Sequence, residues 1–452
     1  MGFGDLVLFY VVTGVSLRWV ATAATAGPSA LVIWLIAWAA FFVPLAFAVV
    51  ELSSRYPEEG GFYVWSKHCF GGLAGFLTGW SYWSSNLPFY PSLLYFTAAS
   101  ALFLDGGRWQ GLAHNKAFFI TFAIAGMALP TMLNVLGLSV GKWLHNAGAL
   151  GNWIPLGIVA VMGLMAWKRF GAANTFNRST LTPSTHLHDI IFWSTIAFAF
   201  GGVESASTMG EEIRDARRLV PPAVLVGGLI ITLSYLLGTL GVLLALPHAE
   251  VTGLQGIMEA VLRIAGRLGM PQAVTVVALL ITVGNLGAIG AWLAATARLP
   301  FVAGLDHYLP SAFGRLHPRW GTPYVALWLQ FACGVVFIFL SQAGTSIRGA
   351  YNVLVSMSII AYFIPYLFIF GALIRVQREA TGPAVVRVPG AKPVAILLGC
   401  LGLCTTSITI FLSLLPAPDD PHKTLAVIKV IGLSALTVGI GAGLYLAGVR
   451  RG

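Results

Sequence analysis

The chain has 452 residues, of which 57 % are hydrophobic and only 9 % charged, with a formal net charge of +10. An ordinary soluble chain carries roughly 25 % charged residues, and a soluble fold of this size could not cover its surface with so few, which excludes a soluble enzyme, a nucleic-acid binder and a disordered protein. Apolar runs of about 20 residues recur, each long enough for a bilayer core of ~30 Å, and they are continuous rather than alternating, which excludes a β-barrel.

The reading is therefore an all-α polytopic membrane protein. Twelve candidate spans lie near 5–25, 31–52, 75–103, 117–137, 147–167 and 190–210, then near 220–246, 273–297, 323–341, 350–374, 394–415 and 425–448. The first begins close to Met1 without a basic leader or cleavage site and reads as a span, not a removable signal. Charge and many of the prolines collect in the connections 51–72, 211–222 and 375–393. No connection is long enough to separate a soluble domain, so 1–452 reads as one membrane domain with the helices of 394–448 peripheral. Most Lys and Arg outside the spans fall in segments that share a side if both termini are cytoplasmic, the orientation expected from the positive-inside rule in a multi-pass cell-membrane protein. Cys69, Cys333, Cys400 and Cys404 form no CxxC pair and read as packing residues, with no metal, disulfide framework or cofactor implied.

Two spans carry features that a plain lipid-spanning helix does not need. The first has Thr13-Gly14-Val15-Ser16 near its middle, followed by Arg18; the sixth has Gly201-Gly202, followed by Glu204. Glycine weakens a helix and lets the backbone leave helical geometry. Unwound backbone at membrane depth survives only where it lines a cavity or is covered by protein. The breaks lie five spans apart, which are corresponding positions in a five-plus-five inverted repeat covering about 5–167 and 190–374. Such paired interruptions point to a transporter site. A charged side chain in mid-span costs roughly 2.5–3.5 kcal/mol on insertion scales, so Arg18 and Glu204 should face a cavity, a partner or each other.

Several stretches resemble amino acid permeases of the amino acid–polyamine–organocation superfamily. The run 51–63, ELSSRYPEEGGFY, follows the second span as in that family. The run 198–206, FAFGGVESA, with Glu211-Glu212 and Arg217-Arg218-Leu219-Val220-Pro221 after it, is similar to the family's sixth span and its exit. Ala297-Arg298, Leu309-Pro310, His317-Pro318 and Thr322-Pro323 resemble the eighth-to-ninth connection. Arg387-Val388-Pro389-Gly390 resembles the entry to the eleventh span.

The resemblance implies an inverted-repeat transporter whose substrate sits mid-membrane between the broken first and sixth spans. The implied substrate-binding residues are Thr13, Gly14, Val15, Ser16, Phe198, Ala199, Phe200, Gly201 and Ile289, with Arg18, Asn152 and Glu204 in coupling or gating. Relative to the family's first-span motif, Val12 replaces a glycine and Ser16 an aromatic, which makes Arg18 a candidate helper for a substrate carboxylate. Phe198 matches an aromatic gate. Ile289 aligns with a tryptophan that cages guanidinium substrates in relatives, so an apolar or small neutral amino acid is expected. Asn152 aligns with a lysine of many members and cannot release a proton, which leaves Glu204 as the intramembrane titratable group. Glu58, Glu59, Glu211, Glu212, Arg217 and Arg218 are expected to form ion pairs at the cytoplasmic end.

The implied function is secondary transport of amino acids by alternating access, as a proton-linked symporter or an exchanger. Its partners are a small-molecule substrate and membrane lipid. Polyamine or cationic amine transport is the alternative within the same fold. A membrane-embedded lipid-modifying enzyme would need clustered catalytic His, Asp or Cys at a membrane face, and none stands out in the sequence.

Overall fold

The computed structural model describes all residues except 185–192, 194, 252–253, 343–346, 381, 384, 416–422 and 451–452. Among the described residues the regular structure is entirely helical. Helix α1 (Phe3–Gly14) is followed after two extended residues by α2 (Leu17–Ala24), and the pair is bent by 43°. Helices α3 (Ser29–Ala37) and α4 (Val43–Arg55) run on through a π turn at Trp38–Phe42 as one 27-residue helix. Next come the short α5 (Phe62–Phe70), the 30-residue α6 (Gly72–Ala101), α7 (Lys116–Val135), α8 (Leu138–Phe170) and the single turn α9 (Arg178–Leu181). A helical run over 195–199 leads into a turn and a 3₁₀ segment, Ser205–Glu212. The chain ends with α10 (Ala216–Ala245), α11 (Gly256–Leu268), α12 (Gln272–Leu305), α13 (Tyr324–Gln342), α14 (Ile347–Val376), α15 (Ala391–Ser413) and α16 (Lys423–Val449).

Among the described residues, eight helices are long and apolar enough to cross a membrane, or nine if the bent α1–α2 pair is one span. The expected count of twelve goes beyond this for physical reasons. Helix α6 has the length but carries Ser81, Ser84, Ser85 and Asn86, all buried inside the bundle. The sixth expected span is interrupted, and residues 190–192 and 194 at its start lie outside the described residues. Residues 416–422, just before α16, lie outside them too. Helix α11 is short and amphipathic: Ile257, Val261, Ile264 and Leu268 recur at helical spacing on its buried side. It rests against α2, α8 and α12.

The interior is built on α8 against α12, α6 against α14, and α6 against α12. Glycine makes the α8–α12 seam close. An added Cβ on Gly148 would come within 2.6 Å of the Gly287 Cα, and one on Gly151 within 2.6 Å of the Gly284 nitrogen. Small residues of this kind let helix backbones touch where lipid offers no hydrophobic drive for association. Helices α15 and α16 pack on the outside of α14, α4 and α6.

Candidate functional site

The two breaks meet in the middle of the bundle. Helix α1 stops at Gly14 because Val15 and Ser16 are extended, with φ −105° and −143°. The Tyr235 hydroxyl on α10 spans the gap: it accepts from the Ser16 N–H at 3.3 Å, donates to the Gly14 carbonyl at 2.6 Å and lies 3.1 Å from the Ala199 carbonyl. On the other side the chain leaves helical geometry after Ala199. Gly202 has φ +119°, a conformation that any side chain would strain. Its N–H turns back to Glu204 Oε2 at 3.1 Å. Thr13 Oγ1 lies 3.4 Å from the Gly202 carbonyl and from Ser205 Oγ. Hydroxyls thus take over the hydrogen bonding that each helix gives up, as buried backbone requires.

A small cavity lies beside the junction. From the breaks it is lined by Thr13, Gly14, Val15, Ser16, Phe198, Ala199 and Gly201, with Arg18 and Trp19 from α2. Helix α6 adds Asn86 and Phe89, α12 adds Asn285 and Trp292, and α14 adds Ser358 and Tyr362. Phe198 closes one wall, edge-on to Trp19 at 5.5 Å and to Tyr362 at 5.1 Å. Trp292 continues the aromatic lining, 5.7 Å from Phe89 and 5.9 Å from Tyr362.

Four expected residues lie elsewhere: Phe200, Ile289, Asn152 and Glu204. Phe200 packs away from the cavity against Trp34, Phe42 and Tyr235. Ile289 is fully buried and points away from the cavity, which α12 lines with Asn285, Ala288 and, three positions after Ile289, Trp292. The cavity therefore has tryptophan on two sides, Trp19 and Trp292, where Ile289 was expected in place of a tryptophan. Asn152 sits in the α8–α12 seam with its amide 3.4 Å from the Gly284 carbonyl, and does not line the cavity. Gly14 contributes backbone, since a Cβ there would point at the Ile231 side chain on α10. Asn285 and Trp292 were not singled out by sequence reasoning. A lone asparagine in an apolar span is the one signal that could have found that face of α12.

Glu204 is fully buried and does not line the cavity. Its Oε1 accepts from the Tyr82 hydroxyl at 2.5 Å and the Tyr362 hydroxyl at 2.8 Å, while Oε2 accepts from the Gly202 N–H. Arg18 makes no contact with it. The guanidinium lies 4.1 Å from the Trp19 ring and 5.0 Å from Phe89, with Nη1 3.4 Å from Ser92 Oγ. Ser16 Oγ, Arg18 Nε and Asn285 Nδ2 are cavity-side polar atoms with no hydrogen-bond partner among the described residues.

Below the 3₁₀ segment one end of the bundle is closed by polar contacts. Arg298 on α12 pairs with Glu212, whose carbonyl accepts from the Met1 amine at 2.6 Å. Asp306 accepts from Lys67 Nζ at 2.7 Å and from the Tyr63 hydroxyl at 2.6 Å. Glu51 is buried and takes Arg55, Gln377 and the Val388 N–H. The segments expected on the cytoplasmic side thus meet at one end, which also carries Met1. The side chain of Glu211 lies outside the described residues.

The family model for amino acid permeases matches residues 2–436. The chain is 28 % identical over 427 residues to an uncharacterized transporter of Legionella pneumophila, covering 93 % of this chain and 90 % of that one. It is 20 % identical over 405 residues to a probable agmatine/putrescine antiporter of Lactococcus lactis, covering 88 % and 84 %. It is 26 % identical over 383 residues to a putative arginine/ornithine antiporter of Escherichia coli, covering 80 % and 78 %.

Proposed function

This chain belongs to the amino acid permease family of the amino acid–polyamine–organocation superfamily, and on that premise we propose that it moves amino acids across the cell membrane by alternating access. The observation that carries this is the junction of two helix breaks beside one buried cavity. Helix ends there offer N–H groups of positive character to a carboxylate and carbonyls to an ammonium group. The proposed architecture is twelve spans in two inverted repeats, with both termini cytoplasmic. Contact symmetry supports the repeat. In it, α6 and α8 are the third and fifth spans of one half, and α12 and α14 those of the other. Helix α6 packs on α14 as α12 packs on α8, and α7 packs on α12 as α13 packs on α6.

Counterflow of labelled amino acids into proteoliposomes tests the reading. Uptake of at least one amino acid against the same amino acid inside is expected. Phe198→Ala should lower that uptake by roughly tenfold, since a lost aromatic contact is worth about 1 kcal/mol or more beside its buried area. Phe198→Tyr and Phe198→Trp should retain it. Absence of counterflow with all twenty amino acids, agmatine and putrescine would overturn the reading.

The closed polar end is assigned as the inner gate, with Arg298 and Glu212 at its centre. Burial, then the Glu379 carboxylate, push the Cys69 thiol up to about 11, so it stays protonated at neutral pH and unreactive. With Cys333, Cys400 and Cys404 replaced by alanine, a cysteine introduced at buried Ser207 reports access from that end. Arg298→Ala should speed its modification by an impermeant thiol reagent about fivefold, the population change that ~1 kcal/mol brings. Unchanged labelling would remove this pair from the gate.

A further inference from the structure

We propose that Arg18 acts as a tethered cation: its guanidinium fills the aromatic subsite of the cavity, so the site accepts carboxylate-bearing amino acids without a cationic side chain and rejects amines and guanidinium compounds. The inference rests on the transport reading and adds the charge class of the substrate.

Trp19, Phe89, Trp292 and Phe198 form walls that would suit a cation, because the faces of aromatic rings carry negative potential. Arg18 already occupies that position, over Trp19 at 4.1 Å and Phe89 at 5.0 Å. It is only 3 % exposed. Among the described residues no carboxylate lies within ion-pair distance of it, and its Nε has no hydrogen-bond partner. Glu204, the nearest acidic residue in the sequence to the second break, is already held by Tyr82, Tyr362 and the Gly202 N–H.

A buried guanidinium lacking a counter-ion is costly unless an anion arrives to pair with it. A carboxylate suits the planar fork of arginine, accepting two parallel N–H bonds. The unpartnered Asn285 Nδ2 and Ser16 Oγ supply further polar contacts on the same cavity. A substrate amine or guanidinium would meet both charge repulsion and an aromatic box already filled. This separates the chain from the cationic substrates printed in the names of two of its relatives.

The test measures ligand-induced thermal stabilisation and radioligand binding on the full-length protein in nanodiscs. The probes are glutamate, serine, leucine, arginine, agmatine and putrescine. Wild type should bind at least one of glutamate, serine and leucine, and bind arginine, agmatine and putrescine at least tenfold more weakly. Arg18→Gln should lose at least tenfold in affinity for the carboxylate ligand and gain binding of agmatine or putrescine. Arg18→Lys keeps the charge and should keep the wild-type preference. Wild type binding a cationic probe as tightly as its best amino acid would overturn the Arg18 assignment while leaving transport intact. So would an Arg18→Gln variant with wild-type selectivity. Wild type binding none of the probes would overturn the Arg18 assignment, and the transport reading with it if counterflow also fails for all twenty amino acids.

Discussion

Replacing Gly202 with valine is expected to lower transport by more than tenfold while the protein remains monodisperse in detergent. Gly202 sits at φ +119°, where a side chain costs on the order of 1–3 kcal/mol. An added Cβ would also stand 3.1 Å from the Thr13 carbonyl, at the point where the two broken spans touch. The residue's N–H holds Glu204, and its carbonyl accepts from the Ser205 N–H at 3.1 Å. A substitution there strains the hinge in every conformation that keeps this turn. Gly4→Ala is the control. Gly4 is helical with open space around its missing Cβ, and alanine at a helical glycine stabilises by up to about 1 kcal/mol. Counterflow and size-exclusion profiles of both variants check the prediction. Wild-type counterflow by Gly202→Val would mean that the turn is not a hinge.

The features legible in the sequence were those that violate a local rule. Gly14 and Gly201-Gly202 stand out because they fall mid-span at paired positions, each with a charged residue just after it. Arg18 and Glu204 stand out because charge in mid-span is expensive. What was not legible is the set of residues that reach the cavity from intact helices. Trp292 looks like any core aromatic until α12 is rotated into place. Helix α12 offers no break near Ile289 to anchor the register, and a shift of three positions is about one turn of helix. Asn152 resembled a coupling position by alignment, but its place in the α8–α12 seam follows from Gly148 and Gly151 approaching Gly287 and Gly284, which only the packing reveals. Tyr235, which joins the two breaks, carries no local mark: a tyrosine near the middle of an apolar span is as often simple packing. The Ser81–Asn86 stretch of α6 was a readable signal of an interior helix. Its polarity is also why α6, despite its length, is less apolar than α7, α10, α12 and α14.

The second large effect is expected at Glu204, where substitution by glutamine should abolish the acceleration of uptake by an inward proton gradient while leaving substrate binding in place. The reason lies in the bonds that each carboxylate oxygen makes. Oε1 receives two phenolic protons, from Tyr82 on α6 and Tyr362 on α14. Oε2 receives the Gly202 N–H at the turn. Tyr10 on α1 and Tyr366 on α14 are the other titratable groups near it. A proton added to Oε2 would point a second donor at the Gly202 N–H and break the bond that shapes the turn. In the proposed coupling role, protonation would thereby change the geometry of the break at Gly201-Gly202, as coupling requires of a group whose charge differs between two conformations. Glutamine offers one acceptor oxygen, which suits the two tyrosines, and places its NH₂ donors against Gly202. It therefore imitates the protonated acid permanently. Wild-type uptake should rise as external pH falls, and Glu204→Gln should respond to pH hardly at all. Asn152→Asp should leave the wild-type profile unchanged, since that side chain faces Gly284 and not the cavity. Transport by Glu204→Gln with the full wild-type pH profile would move coupling elsewhere. A wild type indifferent to the gradient would instead identify an exchanger, in which Glu204 serves only to hold Tyr82, Tyr362 and the Gly202 turn together.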